Sequence, residues 1–149
     1  MYNIAIRFVN NKMDAEDILQ ESFVTAFGKL NDLTNDIAFG SWLKRIVINN
    51  CLTQLRNNKF EFDDIENYES VEMADNTGAE LDIDPAIVHN AIKDLPDGGR
   101  TILVLHALEG YKHREIAEVL GISESTSKTQ YRRALELLCK QLKENIYVS

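Results

Sequence analysis

Five hydroxyl-bearing or basic side chains recur at helical spacing near the C-terminus: Ser125, Lys128, Thr129, Arg132 and Arg133. Basic groups can neutralise DNA phosphates, and hydroxyl or basic groups can reach base edges in the major groove. A helix with apolar residues on its opposite side would present all of these groups together. The pattern predicts a DNA-reading helix, and the structural alternative is a helical hairpin whose basic face is simply solvated.

The residues before this helix have the spacing of a helix-turn-helix. Ile116, Ala117 and Leu120 would form the inner face of a short helix, and the small Ala117 permits close helix approach. Gly121 stands where the chain must leave that helix with positive φ, and Ser123 can cap the next helix. The residues expected to be buried along the second helix are Ser127, Tyr131, Ala134, Leu138 and Leu142.

Two positions depart from the usual helix-turn-helix pattern. Ser127 stands where an aliphatic residue is usual, which predicts looser local packing. Lys112 stands where a capping serine or threonine is common. Loss of such a cap weakens the start of a helix by about 1 kcal/mol.

Residue patterns typical of enzymes do not occur in this sequence. The three histidines, His89, His106 and His113, form no HExxH pattern, and His113 is expected to be solvated at the start of the helix-turn-helix. No phosphate-binding glycine loop or nucleophile motif occurs. Cys51 and Cys139 are far apart and predict two buried thiols rather than a disulfide or a metal site. We therefore expect no catalysis, cofactor, metal or small-molecule substrate.

The acidic residues of the sequence are concentrated in one segment. The formal net charge is −8, but residues 60–84 contain ten acids and no base, whereas residues 1–59 and 85–149 each have a net charge of +1. Charge of one sign over this length resists collapse, so residues 60–84 are predicted to be a flexible linker. The linker ends at Asp84-Pro85, which suits an N-cap followed by proline at the first helical position.

Both flanking segments predict helices, and no strand pattern is long enough to suggest a sheet. Before the linker, one helix begins at or before Met1, a second is capped by Asp14, and a third begins near Phe39. The second helix is expected to bury Ala15, Ile18, Leu19, Phe23, Ala26 and Phe27, and the third Trp42, Leu43, Ile46, Val47, Cys51 and Leu55. After the linker, Leu95-Pro96-Asp97 and Glu109-Gly110 interrupt the apolar stripes. The predicted fold class is all-α, with two small helical domains.

With both halves in view, the chain resembles a bacterial sigma factor of the extracytoplasmic-function group, within the sigma-70 superfamily. The segment MDAEDILQESFVTAF resembles region two, which binds core RNA polymerase, and FGSWLKRIVINNCLTQLR resembles the adjoining promoter-proximal helix. The segment LPDGGRTILVLHALEGYKHREIAEVLGISESTSKTQYRRA resembles region four, which reads the distal promoter element. The implied domains are region two over 1–59, lacking the family's first helix, the linker over 60–84, and region four over 85–149.

The resemblance assigns roles to individual residues. Asp17, Gln20 and Glu21 match positions that face the coiled coil of the polymerase's largest subunit, and a solvated helix face is the alternative. The positions that match the proximal element and strand melting are Thr34, Asn35, Asp36, Phe39, Trp42, Lys44, Arg45, Asn49 and Asn50. Trp42 suits a core aromatic better than a stacking platform. The positions that match the distal element are Ser125, Lys128, Thr129, Arg132 and Arg133.

The function implied is transcription initiation with core RNA polymerase and promoter DNA as partners, under the control of an anti-sigma protein. No apolar run approaches the length of a membrane span and no signal peptide is present, so we expect a cytoplasmic protein without membrane insertion. Two alternatives stay open beside this hypothesis. One is a stand-alone homodimeric helix-turn-helix regulator, and the other is an interaction module that no longer binds promoters.

Overall fold

The computed structural model describes residues 1–57 and 83–147, and the acidic segment predicted as a linker lies almost wholly outside these ranges. The chain divides into two compact units, Met1–Phe60 and Glu61–Ser149. Every element of regular structure in the described ranges is a helix, as the sequence predicts.

The first unit packs three helices against one another. They are α1 (Tyr2–Val9), α2 (Lys12–Gly28) and α3 (Phe39–Asn57), and each contacts the other two. Two short 3₁₀ turns, Leu30–Asp32 and Asp36–Ala38, connect α2 to α3. The largest fully buried side chains of this unit include Phe8, Ile18 and Val47, which come from all three helices. The core therefore lies on the shared inner side of the three-helix bundle.

The start of α2 differs from the sequence prediction. Asn11, rather than Asp14, is the N-cap, and its side-chain oxygen accepts from the N–H groups of Met13 at 2.9 Å and Asp14 at 3.3 Å. Asp14 lies inside the first turn, where its charge favours the positive helix end. Both asparagine and aspartate are good N-caps, so residue type alone could not choose between them.

The buried face of α2 is narrower and made of smaller residues than predicted. It consists of Ala15, Ile18, Ser22 and Ala26, whereas Phe23 is 41% exposed and Phe27 is 74% exposed. The prediction that both phenylalanines are buried is therefore wrong. Small side chains line the helix where α1 and α3 both pack against it, because close helix approach leaves little room for an aromatic ring there.

Within residues 83–147, the second unit has four α-helices and one π-helical segment. They are α4 (Pro85–Lys93), α5 (Asp97–Leu103), α6 (His113–Leu120) and α7 (Glu124–Tyr147), with the π segment Val104–Leu108 continuing α5. Asp84 caps α4 by accepting from the Ala86 N–H at 3.0 Å, with Pro85 at the first helical position, which confirms the predicted start. Helix α7 contacts α4, α5 and α6 and is the central element of the unit.

A buried arginine ties the end of α4 to the start of α5. Arg100 is 3% exposed, and its Nη1 donates to the backbone carbonyls of Lys93 at 3.2 Å and Leu95 at 3.1 Å. Its Nη2 also pairs with the carboxylate of Asp97. These bonds supply donors to carbonyls at the end of α4, where the helix itself has no further N–H groups to offer, and so they fix the Leu95-Pro96 corner.

The segment after α5 is less buried than its apolar sequence suggests. Val104 and Leu105 lie in the core, but Ala107 and Leu108 are exposed, contrary to the predicted stripe. The π geometry adds a residue to the local turn and so rotates the following side chains away from the core.

Both cysteines are free thiols, Cys51 buried and Cys139 half-buried. Burial raises the pKa of Cys51 to about 12, so it remains protonated at neutral pH. Within residues 1–57 and 83–147, no helix is both long enough and apolar enough to cross a membrane. The same ranges contain no cluster of His, Cys, Asp and Glu suited to a metal ion.

Candidate functional site

The three α2 residues expected to bind polymerase lie together on the exposed side of the helix. Asp17, Gln20 and Glu21 are all exposed, and their spacing of three and four residues places them on one face. This face is opposite the Ala15, Ile18, Ser22 and Ala26 stripe that enters the bundle. The helix therefore presents them as one contiguous polar patch.

Large apolar side chains accompany this polar patch, and sequence reasoning missed them. Val24 is 73% exposed and lies one turn beyond Gln20 and Glu21, and Phe27 lies two turns beyond Gln20. We name Asp17, Gln20, Glu21, Val24 and Phe27 the α2 surface. Exposed aromatic and aliphatic groups rimmed by polar ones are typical of protein-binding surfaces. The apolar character of Phe27 had suggested burial, but the positions of α1 and α3 decide which face of α2 is covered.

From the end of α2 to the first residue of α3, the chain exposes four of the residues that match the proximal element and strand melting. Thr34, Asn35, Asp36 and Phe39 are exposed, and the Asn35 side chain accepts from the Ile37 N–H at 3.0 Å. This cap shapes the short turn and leaves Ile37 93% exposed. An isoleucine that projects almost fully into solvent at this position can contact an unstacked base, and sequence reasoning did not single it out.

Helix α3 separates its predicted DNA-facing residues into an exposed and a packed group. Arg45 and Asn49 are exposed and one turn apart, while Lys44 and Trp42 are half-buried. The ring of Trp42 packs at a tilt against Phe39, with centroids 6.0 Å apart. Arg45 and Asn49 are the members of the group best placed to meet DNA.

Asn50 has a structural partner inside the bundle. Its Nδ2 donates to the hydroxyl of Ser22 at 2.9 Å, and that hydroxyl donates to the Ile18 carbonyl at 2.6 Å. Ser22 is completely buried, so this chain of hydrogen bonds joins α3 to α2 within the core. The half-buried Asn50 thus holds the two helices together, a role that spacing along α3 could not reveal.

We expect Asn50→Ala to lower the free energy of unfolding of the first unit by about 1–2 kcal/mol, because it leaves a buried hydroxyl acceptor without its donor. Trp42 is the only tryptophan and lies in this unit, so its fluorescence during urea denaturation reports the loss selectively. The matched control is the exposed neighbour Asn49→Ala, expected to change stability by less than about 0.5 kcal/mol. Equal stability of the two variants would contradict the structural role of Asn50.

The turn between α6 and α7 has the predicted chemistry. Gly121 adopts φ of 68°, a left-handed conformation that favours glycine, and ends α6. The Ser123 hydroxyl accepts from the Thr126 N–H at 3.0 Å and so caps α7. At the start of α6, where Lys112 replaces the usual cap, the Glu115 side chain accepts from the Lys112 N–H at 3.4 Å. The helix-turn-helix prediction is confirmed in these details.

Four of the five predicted distal-element residues lie at or near the surface of α7. Ser125, Lys128 and Arg132 are exposed, and Thr129 is half-exposed with its hydroxyl donating to the Ser125 carbonyl at 2.9 Å. Lys128 lies 3.4 Å from the Glu124 carboxylate. This exposed ion pair contributes little stability, and DNA phosphates can replace Glu124 as the partner of Lys128. These four residues form one continuous surface, which we name the α7 surface.

The prediction that Arg133 lies outside the buried face is wrong. Arg133 is only 8% exposed, and Gln130 beside it on the helix is 4% exposed. Helix α7 is covered by three helices rather than one, so its buried face is wider than the single stripe assumed from the sequence. Gly99 of α5 belongs to this contact, because a Cβ there would lie 3.2 Å from the Cβ of Ala134.

His113 and Ser127 also differ from their sequence-based interpretations. Ser127 is completely buried, and its hydroxyl lies 2.8 Å from Nδ1 of the half-buried His113. The position expected to be loosely packed therefore contains a polar bridge between α6 and α7. The expectation that His113 is merely solvated is wrong, since its ring contacts His106 and Tyr131.

Both units match family models. Residues 1–61 match sigma-70 region 2, and residues 86–138 match sigma-70 region 4. Similar proteins include the RNA polymerase sigma factor SigV of Bacillus subtilis, 34% identical, with 95% of this chain and 83% of the relative aligned. The RNA polymerase sigma-H factor of Pseudomonas aeruginosa is 32% identical, with 93% and 78% aligned. SigW of B. subtilis, an extracytoplasmic-function sigma factor, is 29% identical, with 97% and 83% aligned.

Solved structures with the same fold include one sigma factor complex. It is the sigma factor RpoE of Bartonella quintana, determined in complex with the anti-sigma factor NepR, and the likeness has a TM-score of 0.59. The alignment covers 95% of this chain and 89% of that chain, at 23% identity. At this identity the likeness shows a shared fold.

Proposed function

We propose a division of labour between the two units of this chain. The chain belongs to the extracytoplasmic-function group of the sigma-70 family. The chain is a sigma factor: it binds core RNA polymerase and directs promoter recognition and transcription initiation. The division rests on one observation. The region 2 match, residues 1–61, coincides with the first compact unit to within one residue, and the region 4 match, residues 86–138, lies inside the second.

The α2 surface binds core polymerase in this proposal. Its support is the exposure of Asp17, Gln20 and Glu21 on one face beside the apolar Val24 and Phe27. Carboxylates and an amide can pair with polar groups of the partner and set the register. The apolar groups lose water on binding and supply most of the affinity.

The segment from Thr34 to Phe39 and the exposed residues of α3 open the promoter in this proposal. Bases leave the stack during strand opening, which costs a few kcal/mol per base unless the protein holds the unstacked form. Ile37 and Phe39 offer apolar contact to such a base, while Arg45 can neutralise backbone phosphate. Asn49 can hydrogen-bond a base or a sugar.

The α7 surface reads the distal element. Lys128 and Arg132 project from a capped helix that follows a tight glycine turn, which is the geometry with which a recognition helix enters the major groove. Ser125 and Thr129 add hydroxyl groups between them. Because Arg133 is buried, we assign it a supporting role within the unit rather than contact with DNA.

The charge distribution makes each DNA contact weak without polymerase. Outside residues 60–84 the sequence is nearly neutral, so few counterions are released when either domain meets DNA. Core polymerase holds both domains at once and converts the second contact into an effectively intramolecular one. A linker over 60–84, between domains 1–59 and 85–149, could span on the order of 80 Å at ~3.3 Å per residue.

We also propose that an anti-sigma protein controls the chain. RpoE of B. quintana has been determined in complex with such a protein, and this chain shares its fold. The α2 surface is apolar enough to need a partner when polymerase is absent. Mixing the chain with a candidate anti-sigma protein or with core polymerase, followed by gel filtration, should give a complex in each case; absence of both complexes would overturn the assignment.

Sigma factors are initiation factors, and we propose that this chain performs no catalysis itself and acts in the cytoplasm, where polymerase works. The stand-alone regulator differs in one measurable respect. It would bind its site tightly without polymerase.

The test of the proposed function is run-off transcription. Core polymerase with the chain should initiate at defined sites on bacterial genomic DNA, and core polymerase alone should not. Sites selected this way should share two sequence elements at fixed spacing, one for each unit. Initiation that is unchanged by adding the chain would contradict the proposal.

A further inference from the structure

Two of the chain's three histidines lie face to face behind the recognition helix. His106 belongs to the π segment that continues α5, and His113 is the first residue of α6. Their rings stack with centroids 4.1 Å apart and planes 19° apart. Tyr131 of α7 meets both rings edge-on, at 4.6 Å and 5.4 Å. With Ser127, these residues form what we name the histidine cluster.

Hydrogen bonds fix both imidazole rings. Nδ1 of His106 lies 2.8 Å from the carbonyl of Tyr111, and because a carbonyl can only accept, this nitrogen carries a proton. Nδ1 of His113 lies 2.8 Å from the hydroxyl of the fully buried Ser127. The cluster therefore joins the π segment, α6 and α7 at one point.

The surroundings of His113 disfavour its charged form. Burial lowers its pKa below the ordinary 6.5, and His106 and Lys128 lower it further, while Glu124 alone raises it. The titratable groups that act on it are His106 from the π segment and Glu124 and Lys128 from α7, with the Tyr131 phenol beside them. The ring of His113 is consequently neutral at pH 7, and charging both stacked rings would place two cations 4.1 Å apart.

We propose that His113 in its neutral form is a positioning residue that holds α7 against α6, with the stacked ring of His106 fixing its orientation, and that proton uptake by His113 weakens binding of the distal promoter element. The proposal rests on the distal role of the α7 surface. Ser127 directly precedes Lys128 and Thr129, so a shift of the helix at Ser127 moves the residues that would meet DNA. In this chain a titratable polar bridge fills the position where an aliphatic side chain is usual.

The direction of the pH effect follows from the lowered pKa. The unfolded chain binds a proton at His113 more readily than the folded one, so folding of this unit is favoured more as pH rises. The contribution is complete above about pH 6.5 and is lost as pH falls from 6.5 through the lower folded-state value.

Hydrogen exchange on the full chain tests the cluster independently of promoter binding. After correction for intrinsic rates, protection of the α7 amides around Ser127 should fall by about fivefold between pH 7.5 and 5.8. The double variant His106→Asn, His113→Asn keeps an amide donor near each Nδ1 position but cannot take up a proton, and its protection should not change. Replacement of the third histidine, His89→Asn, is the matched control and should respond as the unaltered chain does, because it lies on α4 outside the cluster.

Promoter binding by the holoenzyme tests the consequence. On a promoter selected at pH 7.5, affinity should fall about fivefold more on acidification for the unaltered chain than for the double variant.

Should the double variant fold poorly at pH 7.5, Ser127→Val provides a second test. It fills the buried site with an aliphatic group and removes the bridge to His113, so it should also reduce the pH response. Equal pH responses of the unaltered chain and these variants, in exchange and in binding, would overturn the proposal. A holoenzyme that selects no promoter at pH 7.5 would instead refute the proposed function, and hydrogen exchange would still decide the role of the cluster.

Discussion

We expect Phe27→Ala to weaken binding of the chain to core RNA polymerase by about 30-fold, equivalent to about 2 kcal/mol for an aromatic hot spot. Phe27 is 74% exposed and lies on the same side of α2 as Gln20, so its ring has little to contact until a partner arrives. Truncation should leave the unfolding free energy of the first unit unchanged within about 0.5 kcal/mol, because exposed positions contribute little to stability. Titration of labelled chain with core polymerase, without DNA, measures the loss.

The matched control is Ile37→Ala. Ile37 is also a large apolar residue of the first unit and is 93% exposed, but it lies in the segment proposed to meet melted DNA. It should bind core polymerase normally and reduce strand opening, followed by permanganate reactivity of unpaired thymines. Normal polymerase binding by Phe27→Ala, or weakened binding by Ile37→Ala, would show that the α2 surface has been assigned wrongly.

We expect Arg132→Ala and Arg133→Ala to affect different properties, promoter affinity and stability, although the residues are adjacent. Arg132 is exposed on the α7 surface, so its loss should lower holoenzyme affinity for the promoter about tenfold and leave the fold intact. If Arg132 contacts phosphate, the slope of log affinity against log salt should fall by about one. A promoter with a scrambled distal element should show no further loss with this variant.

Arg133 is 8% exposed, so its truncation removes a charged group from among packed helices. We expect this variant to destabilise the second unit by about 3 kcal/mol, because truncating a long buried side chain leaves a cavity among the packed helices. Hydrogen exchange of α5 and α7 reports this loss locally, whereas Trp42 fluorescence, which reports the first unit, should be unchanged. Loss of stability in Arg132→Ala, or of distal-element specificity alone in Arg133→Ala, would contradict the division between them.

The helices and the helix-turn-helix could be predicted from local chemistry. Gly121 at positive φ, the Ser123 cap and the Asp84-Pro85 start depend on residues within one turn of each other, and these predictions are confirmed. The separate family matches likewise follow the two helical segments of the sequence.

The wrong predictions concern which face of a helix is covered by a neighbouring helix. Phe23 and Phe27 are apolar and suggested burial, yet Ser22 occupies the core because α1 and α3 approach α2 along its small residues. Arg133 is basic and suggested exposure, but α7 is covered by three helices. Which face of a helix is buried depends on contacts between residues distant in sequence. The amphipathic pattern of the helix indicates that face only where its apolar stripe is wide.

The polar contacts between helices could not be predicted from neighbouring residues in the sequence either. Asn50 reaches Ser22 across 28 residues, and His113 reaches Ser127 across 14. Neither pair forms a recognisable motif, because the two partners are distant in sequence and meet only in the folded chain. The roles of the α2 and α7 surfaces stay predictions that the variants above can test.

Specific promoter recognition by this chain should require core polymerase, and a comparison of four affinities tests this requirement. Fluorescence anisotropy at about 0.15 M salt would compare a selected promoter with a scrambled duplex, for the free chain and for the holoenzyme. The free chain should bind both duplexes equally and weakly, in the 10⁻⁴–10⁻⁶ M range of non-specific complexes, and the holoenzyme should bind the promoter at least about 100-fold more tightly. Specific binding by the free chain with an affinity equal to that of the holoenzyme would contradict this account and would identify a stand-alone regulator.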